Sequence, residues 1–276
     1  FTGAKPSHVV KDSRHNPTAM TQNGRRLLAH DYSGHAFAVG LSRWFAAQGW
    51  TCRYLYCADI EAPRGPLSPA ASDPCGFSVA GLSTGAPLRK YDVVARWRRE
   101  RAYADKLAAE IDAFAPDIVL AGNTPPQICA AVARAARRRG ARFVYWLQDL
   151  YAPALERALY EKIGPAAALA GWVGARIEAR ALSAADHVVA IADGFEPALA
   201  RAGVPADRID VIENWASPDD ITPGVKANAW SAAQGLADRF VFLYAGTHGM
   251  KHDAGALADL ASAVADDRGV RVVVVS

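Results

Sequence analysis

Two spacings of apolar residues alternate along the chain. Short continuous apolar runs, as expected of strands covered on both faces, are followed by stretches with a helical repeat. Arg25 to Asp31 reads as a first strand and Ser33-Gly34-His35 as a turn. Ala36 to Gln48 reads as a helix with Phe37, Leu41, Trp44 and Phe45 on its apolar face and Gly49 as its stop. Thr51 to Cys57 alternates as a second strand. Ala62 to Pro87 is rich in Pro, Gly, Ser and Ala and reads as a long, partly ordered loop. Asp92 to Phe114 predicts a long helix and Asp117 to Ala121 a third strand. Thr124 is placed to cap the next helix, with Pro125 at its first position. Ala141 to Leu147 is a strand running into Gln148-Asp149, followed by helices over Ala154 to Lys162 and Pro165 to Ala184. His187 to Ala190 and Ile209 to Ile212 are further strands on either side of a short helix, Gly194 to Ala202.

Strands alternating with helices imply a parallel, doubly wound α/β sheet. Residues 1–24 are polar and read as a disordered extension, and residues 25–222 as a first domain. Ser217 to Gly224, with two prolines, is the linker, so residues 223–276 are linker and the start of a second domain. There Phe240 to Ala245 reads as a strand buried on both faces, and Asp253 as the cap of a helix carrying Leu257, Leu260, Ala261 and Val264. Between them lies Gly246-Thr-His248-Gly-Met-Lys251. A glycine-bearing turn, a helix N-terminus and an ammonium in one place favour an anion, most simply a phosphate. The chain opens on Phe1 and closes on the strand-like Val272 to Ser276, which predicts a piece of a longer protein.

Composition narrows the classes. Of 276 residues 51% are hydrophobic and 21% charged, with a net charge of +3, a soluble globular profile. The mild charge and the lack of helix-turn-helix, zinc or RRM patterns argue against nucleic acid. Cys52, Cys57, Cys75 and Cys129 form no CxxC pair and no metal-ligand spacing, so the expectation is reduced thiols in a cytoplasmic protein, with no metal. No apolar run approaches the roughly 20 residues of a membrane span. Two basic clusters, Arg96, Arg98, Arg99 and Arg101, and Arg134, Arg137, Arg138, Arg139 and Arg142, read as solvated helix faces or as contacts for anionic lipid.

Ligands of open parallel sheets sit beyond the carboxyl ends of the strands, and the candidate residues are those that fall there. Gly34 and His35 follow the first strand, where glycine lets backbone approach a ligand; the alternative is a plain tight turn. Asn123 follows the third predicted strand, as a substrate contact or as part of the helix cap. Asp149 is placed to orient a hydroxyl or act as a general base, or is a turn aspartate. Glu213 and Asn214 precede the linker, and Asn214 equally suits a left-handed turn position. Trp215 reads as packing.

Asp31-Tyr-Ser-Gly-His35, Gln148-Asp149-Leu150, Val211-Ile-Glu-Asn214-Trp215 and Tyr244-Ala-Gly-Thr-His-Gly-Met-Lys251 occur in this order. The ordered set resembles the family 4 glycosyltransferases, especially the colanic-acid and exopolysaccharide type. That resemblance implies a GT-B fold: two Rossmann-like domains facing a cleft, the second incomplete here. It implies transfer of a sugar, with retention, from a nucleotide-sugar co-substrate to a glycan or polyprenyl-diphosphate-linked acceptor. No other cofactor and no catalytic metal is implied, and contact with the inner face of the plasma membrane would suit such an acceptor. By the same resemblance the Gly34–His35 loop lies under the donor phosphates or beside the acceptor, Asp149 faces the sugar or acceptor, and Glu213 and Asn214 line the cleft. Lys251 would bind the donor diphosphate, with Gly246 in its turn and His248 assisting; Asp149 and Lys251 are the catalytic candidates. The family's E-x7-E pair falls outside this chain, which is therefore expected to lack most of the nucleotide-sugar site. The absence of G-x-G-x-x-G after the first strand disfavours a Rossmann-type oxidoreductase. A non-catalytic binding or assembly subunit is the other alternative.

Overall fold

Most of the β-forming runs of the larger sheet are followed by a helix that returns the chain to the sheet's starting edge, which makes their pairing parallel; the run Thr51–Cys57 passes to Phe77–Leu82 with no helix among the described residues between them. The structure is a computed structural model and describes residues 24–60, 64–85, 93–216, 222–246 and 254–275. The strands are β1 (Arg26–Asp31), β2 (Thr51–Cys57), β3 (Phe77–Leu82), β4 (Ile118–Gly122), β5 (Arg142–Leu147), β6 (His187–Ala190) and β7 (Ile209–Val211). They pair in the order β3-β2-β1-β4-β5-β6-β7, every pair parallel. The chain winds outward from β1 to β3 and then crosses back to lay β4 on the other side of β1. The carboxyl ends of β1 and β4 therefore flank the point where strand order reverses, the usual ligand crevice of such sheets.

Helices α1 (Ala36–Ala47), α2 (Val93–Phe114), α3 (Pro126–Arg139), α4 (Tyr151–Ile163), α5 (Ala167–Ser183) and α6 (Glu196–Arg201) connect these strands. The period-two alternation of strand side chains divides the core between the two faces. Leu28, Val119, Phe143, Tyr145 and Val188 pack with Leu107 and Ile111 of α2 and Ala135 of α3. Ala29, Tyr54 and Trp146 pack on the opposite face with Val39 of α1.

Several expectations are corrected. The segment read as a loop over 62–87 contains the edge strand β3, paired with β2 from Cys52↔Phe77 to Cys57↔Leu82. Trp44 does not belong to the buried face of α1: it is 57% exposed, and Ala38, Val39, Ser42 and Ala46 are buried instead. Thr124 does not cap α3, whose N-cap is Pro125. The Thr124 hydroxyl donates to the carbonyl of Gly122 at 2.7 Å. Residues 217–221 of the linker, and Asp253, lie outside the described residues.

Beyond the linker come α7 (Ala229–Ala233), β8 (Phe240–Ala245), α8 (Ala254–Ala263) and β9 (Val270–Val275). The short α7, not anticipated from sequence, is held by a reciprocal cap: Ser231 N donates to Asn228 Oδ1 and Asn228 N to Ser231 Oγ, both at 3.0 Å. Strands β8 and β9 form a separate parallel pair. The expected two-sided burial of β8 is not found among the described residues, since Phe240, Phe242 and Leu243 are exposed. A two-stranded pair covers little of its own surface and is marginal alone. In this 276-residue chain the amides of Val119 and Leu120 in β4 should exchange with solvent at least about tenfold more slowly than those of Val241 and Leu243 in β8. Equal protection by hydrogen exchange would show that β8 is covered.

Candidate active site

The site is built from the loops that follow β1, β4, β5 and β7. Strand β1 ends in Asp31, whose carboxylate is buried at 2% exposure and turned back onto the start of α1. It accepts from the backbone N–H groups of Ser33 at 2.9 Å, Gly34 at 3.2 Å and His35 at 3.2 Å, and from His35 Nδ1 at 2.9 Å. Two of these amides belong to the turn before α1, and the third is that of its N-cap, His35. Gly34 adopts a φ of 82°, which a side chain would resist. With Nδ1 held by Asp31, Nε2 is the remaining polar atom of the His35 ring.

His35 stacks on Phe37 with ring centroids 5.3 Å apart, and Phe37 meets Trp146 edge-on at 5.2 Å. Trp215 lies parallel over Trp146 at 5.6 Å. Gly122 is level with Trp146 in the sheet, and the indole lies against the space a side chain there would occupy. Trp215 is 40% exposed, so the outer face of this stack is presented to solvent.

Asn123 holds a left-handed φ of 43°, and its Nδ2 donates to Ser33 Oγ at 2.6 Å, tying the β4 loop to the β1 loop. Tyr151 OH donates to the carbonyl of Asn123 at 3.4 Å. The side-chain amides of Gln148 and Asn214 bond each other in both directions, at 2.7 and 3.3 Å, which joins the β5 and β7 loops. Asp149 is exposed and close enough to His35 for its charge to favour the imidazolium; Glu213 is exposed beside Asn214. A second buried carboxylate, Glu178 from α5, accepts from Tyr151 N at 2.7 Å and Ala152 N at 3.4 Å, the first two amides of α4.

Residues 34–215 match the glycosyl transferase 4-like domain. The chain belongs to that family. No curated protein sequence matches it. In backbone geometry it is similar to the Anabaena protein HepE in complex with UDP-glucose, at a TM-score of 0.55 and 14% identity, over 90% of this chain and 60% of that one. It is also similar to a UDP-glucosyltransferase from Polygonum tinctorium capable of glucosylating indoxyl, at a TM-score of 0.51 and 12% identity, over 93% of this chain and 66% of that one. At such identities the likeness is one of fold, and the fold is GT-B. The chain spans 60% of the length of HepE.

For this glycosyltransferase domain the structure brings Gly34, His35, Asn123, Asp149, Glu213 and Asn214 to the carboxyl edge of one sheet. Gly246, at a φ of 149° that favours glycine, follows β8 in the other sheet. His248 and Lys251 lie outside the described residues. Sequence reasoning passed over Asp31, Ser33 and Gln148 as site residues, and read Trp215 as packing ahead of ligand stacking. An aspartate closing a strand two residues before a Ser-Gly pair was the available signal for Asp31, because such a side chain captures the N–H groups that follow it.

A cavity of about 540 Å³ lies at the opposite edge of the sheet, between the ends of α3 and α5 and lined by Arg137, Arg142, Asp186 and Arg208. Helix C-termini face it, so an anion is not favoured by the helix dipoles there. The second basic cluster falls in this region. Arg138 and Arg139 pair with Asp112 at 2.8 and 3.1 Å, and Arg142 pairs with Asp186 at 3.7 Å. In the first cluster Arg96 pairs with the buried Glu100 at 2.8 Å.

Two histidines of β1 and its loop carry opposite pH signatures. His30 is buried; its Nδ1 lies 2.9 Å from Thr124 Oγ1 and its Nε2 2.9 Å from Tyr103 OH. Thr124 spends its own proton on Gly122, so His30 donates from Nδ1 and accepts at Nε2. Burial lowers its pKa from 6.5 to about 4, against the opposing charge of Asp31. The unfolded chain takes up that proton first, so stability falls as pH drops from about 6.5 to about 4, by up to about 3 kcal/mol at roughly 1.4 kcal/mol per unit. His30→Gln should be less stable at neutral pH yet show a flatter acid limb in urea denaturation.

His35 is shifted the other way, chiefly by its hydrogen bond to Asp31; burial opposes, and the charges of Asp31 and Asp149 add to the rise. Its stabilising contribution is complete below the ordinary value of 6.5 and is lost as pH rises through the raised one. Asp31→Asn should bring the His35 titration, followed by NMR, back towards 6.5. It should also cost on the order of 1–3 kcal/mol in stability. An unmoved His35 titration would mean that the Asp31 contact does not hold the proton.

Proposed function

We propose that this chain is the acceptor-side part of a glycosyltransferase that moves a sugar from a nucleotide-sugar donor onto a lipid-linked glycan of the cell surface, with retention and without a resident metal. The observation that carries this reading is the placing of the protein's own buried carboxylates at both helix starts of the site: Glu178 on the first two amides of α4, and Asp31 on the turn that leads into α1, up to the His35 amide. A carboxylate at a helix start disfavours a second anion such as a phosphate there. What the site offers instead is an exposed aromatic face, Trp215, with amide, imidazole and carboxylate groups around it. That combination suits the apolar ring faces and the hydroxyls of a sugar. The diphosphate of the donor is assigned to the turn after β8, with Lys251 as its cation.

In the transfer the acceptor oxygen bonds to the anomeric carbon while the bond from that carbon to the phosphate oxygen breaks. The acceptor proton leaves to a base or to the departing phosphate. Asp149 orients the acceptor hydroxyl, and Lys251 stabilises the charge that accumulates on the leaving diphosphate. The Asp31–His35 pair supports a second reading. A carboxylate on Nδ1 sets the tautomer that leaves Nε2 as a proton acceptor, as a general base requires. A base acting from the face opposite the leaving group would invert the anomeric centre.

The test is to incubate the full-length protein with a panel of UDP- and GDP-sugars and a polyprenyl-diphosphate-linked glycan, measuring released nucleotide and the anomeric configuration of the product. Retention with partial activity in His35→Ala supports the first reading; inversion with activity abolished in that variant supports the second. Lys251→Ala should lower kcat by about a hundredfold, a loss of on the order of 3 kcal/mol in transition-state stabilisation, and not merely raise KM. Lys251→Arg should retain part of the activity. A folded Lys251→Ala enzyme turning over at the wild-type rate would remove the diphosphate assignment.

A further inference from the structure

Helices α4 and α5 form an antiparallel hairpin that stands clear of the sheet. Its register is fixed by close contacts. Glu178 binds the first amide of α4, Gly174 lies against Ala152 and Leu155, and Gly171 against Glu156. A side chain on Gly174 would approach Leu155 Cδ2 to 3.3 Å, and one on Gly171 would approach Glu156 Cβ to 2.9 Å, so the glycines set how near the helices come. The start of α4, beside Asp149, is thus level with Glu178, and everything from there to the tip at Ile163-Gly-Pro-Ala166 extends away. Among the residues of 153–177 whose burial is described, none joins a core cluster, whereas Ala181 and Leu182 at the far end of α5 do.

An arm that leaves the core should present polar residues outward. This one does not. Leu169, Trp172 and Val173 are 68%, 58% and 44% exposed, and Tyr160 and Ile163 of α4 are 60% and 50% exposed. On α5 these apolar residues run directly into Arg176 and Arg180, which are also exposed, along positions 169, 172, 173, 176 and 180 of one helical face. No acidic residue lies on that stripe. The Arg176 guanidinium sits over the Trp172 ring, 5.1 Å from its centroid. An apolar α5 stripe bearing a tryptophan and continued only by arginine matches the boundary between acyl chains and anionic head groups.

We infer that the α4–α5 hairpin seats this protein on an anionic lipid surface, its apolar face in the acyl boundary and Arg176 and Arg180 among the head groups. The inference rests on the proposed lipid-linked acceptor for its purpose: α4 begins at the site, so a membrane against the hairpin would meet the acceptor close to Asp149. It assigns membrane contact to the hairpin rather than to the ion-paired arginines of α3, which lie at the other edge of the sheet.

The experiment is flotation of the full chain with vesicles of phosphatidylethanolamine and phosphatidylglycerol, or of phosphatidylcholine alone, without any acceptor. The wild type should float with the anionic vesicles. The double variant Leu169→Gln, Trp172→Gln should bind at least about tenfold more weakly while keeping its circular dichroism and its Tm. Arg176→Gln with Arg180→Gln should lose the preference for anionic lipid, and replacing Arg138 and Arg139 by Gln should change little. Absence of wild-type binding, or unchanged binding by the Leu169 and Trp172 double variant, overturns the inference. So does a wild-type dimer that the double variant converts to monomer with lipid binding unaltered, since the face would then belong to a second copy. In the full-length enzyme, transfer to a soluble glycan should be unaffected by the double variant. If no transfer occurs in the wild type while vesicle binding follows the expected pattern, the acceptor reading fails and the hairpin assignment stands.

Discussion

The Asp31 carboxylate gathering the turn that leads into α1 is the constraint on which the site depends. Three consecutive backbone amides and an imidazole converge on one buried side chain. That convergence holds the turn at the left-handed φ of Gly34 and sets the direction in which α1 leaves the sheet. It also leaves the carbonyl of Gly34 to accept from Gly65 N at 2.9 Å, which draws the following loop across the start of the helix. The fit there is tight: a side chain on Gly65 would fall 2.5 Å from the Cα of Ala36. Through His35 the same carboxylate positions a line of rings, His35 on Phe37, Phe37 on Trp146, Trp146 under Trp215.

Each loop at this edge is tied to another by a side chain rather than left to its own backbone. Asn123 bonds Ser33, Tyr151 bonds the carbonyl of Asn123, and Gln148 and Asn214 bond each other. Beneath them Asp31, Gly122 and Trp146 stand in register across β1, β4 and β5. The absence of a side chain on Gly122 lets the Trp146 indole lie across the sheet, and that indole is the floor for Trp215. Loops cross-linked in this way hold polar groups in fixed positions, which is what recognition of a multi-hydroxyl ligand demands.

The alternation of strand and helix was legible because most buried strands are short apolar runs and some helices end on a glycine stop, as at Gly49 and Gly140. Errors fell where local composition and tertiary environment disagree. Strand β3 sits amid prolines and glycines, and its own Gly81 is required by the Tyr56 ring, whose Cζ a side chain would approach to 2.9 Å. Trp44 has the helical spacing of a core residue but lies on a part of α1 that the sheet does not reach, so spacing alone misassigned it. Thr124 carries every mark of an N-cap, yet its hydroxyl is claimed by the buried His30 and the carbonyl of Gly122. The edge position of the candidate residues followed from topology and could be read early. The pairing of Gln148 with Asn214 could not, since it joins residues 66 apart.

The buried carboxylates at two helix starts imply a division of labour across the proposed cleft. Phosphate recognition and hydroxyl recognition ask for opposite things from a helix N-terminus: one needs its N–H groups vacant, the other needs them quiet so that the field does not favour an anion over a neutral sugar. Asp31 and Glu178 place a negative charge at both starts, whereas β8 is followed by Gly246, which has no β-carbon to hold a ligand off. A carboxylate next to a transferring diphosphate would also repel it and raise the barrier that Lys251 is assigned to lower. Placing the donor phosphates on the β8 side and the acceptor on the Asp31 side removes that conflict. It leaves the His35 ring, biased towards its protonated form by Asp31 and Asp149, as a group able to face either substrate.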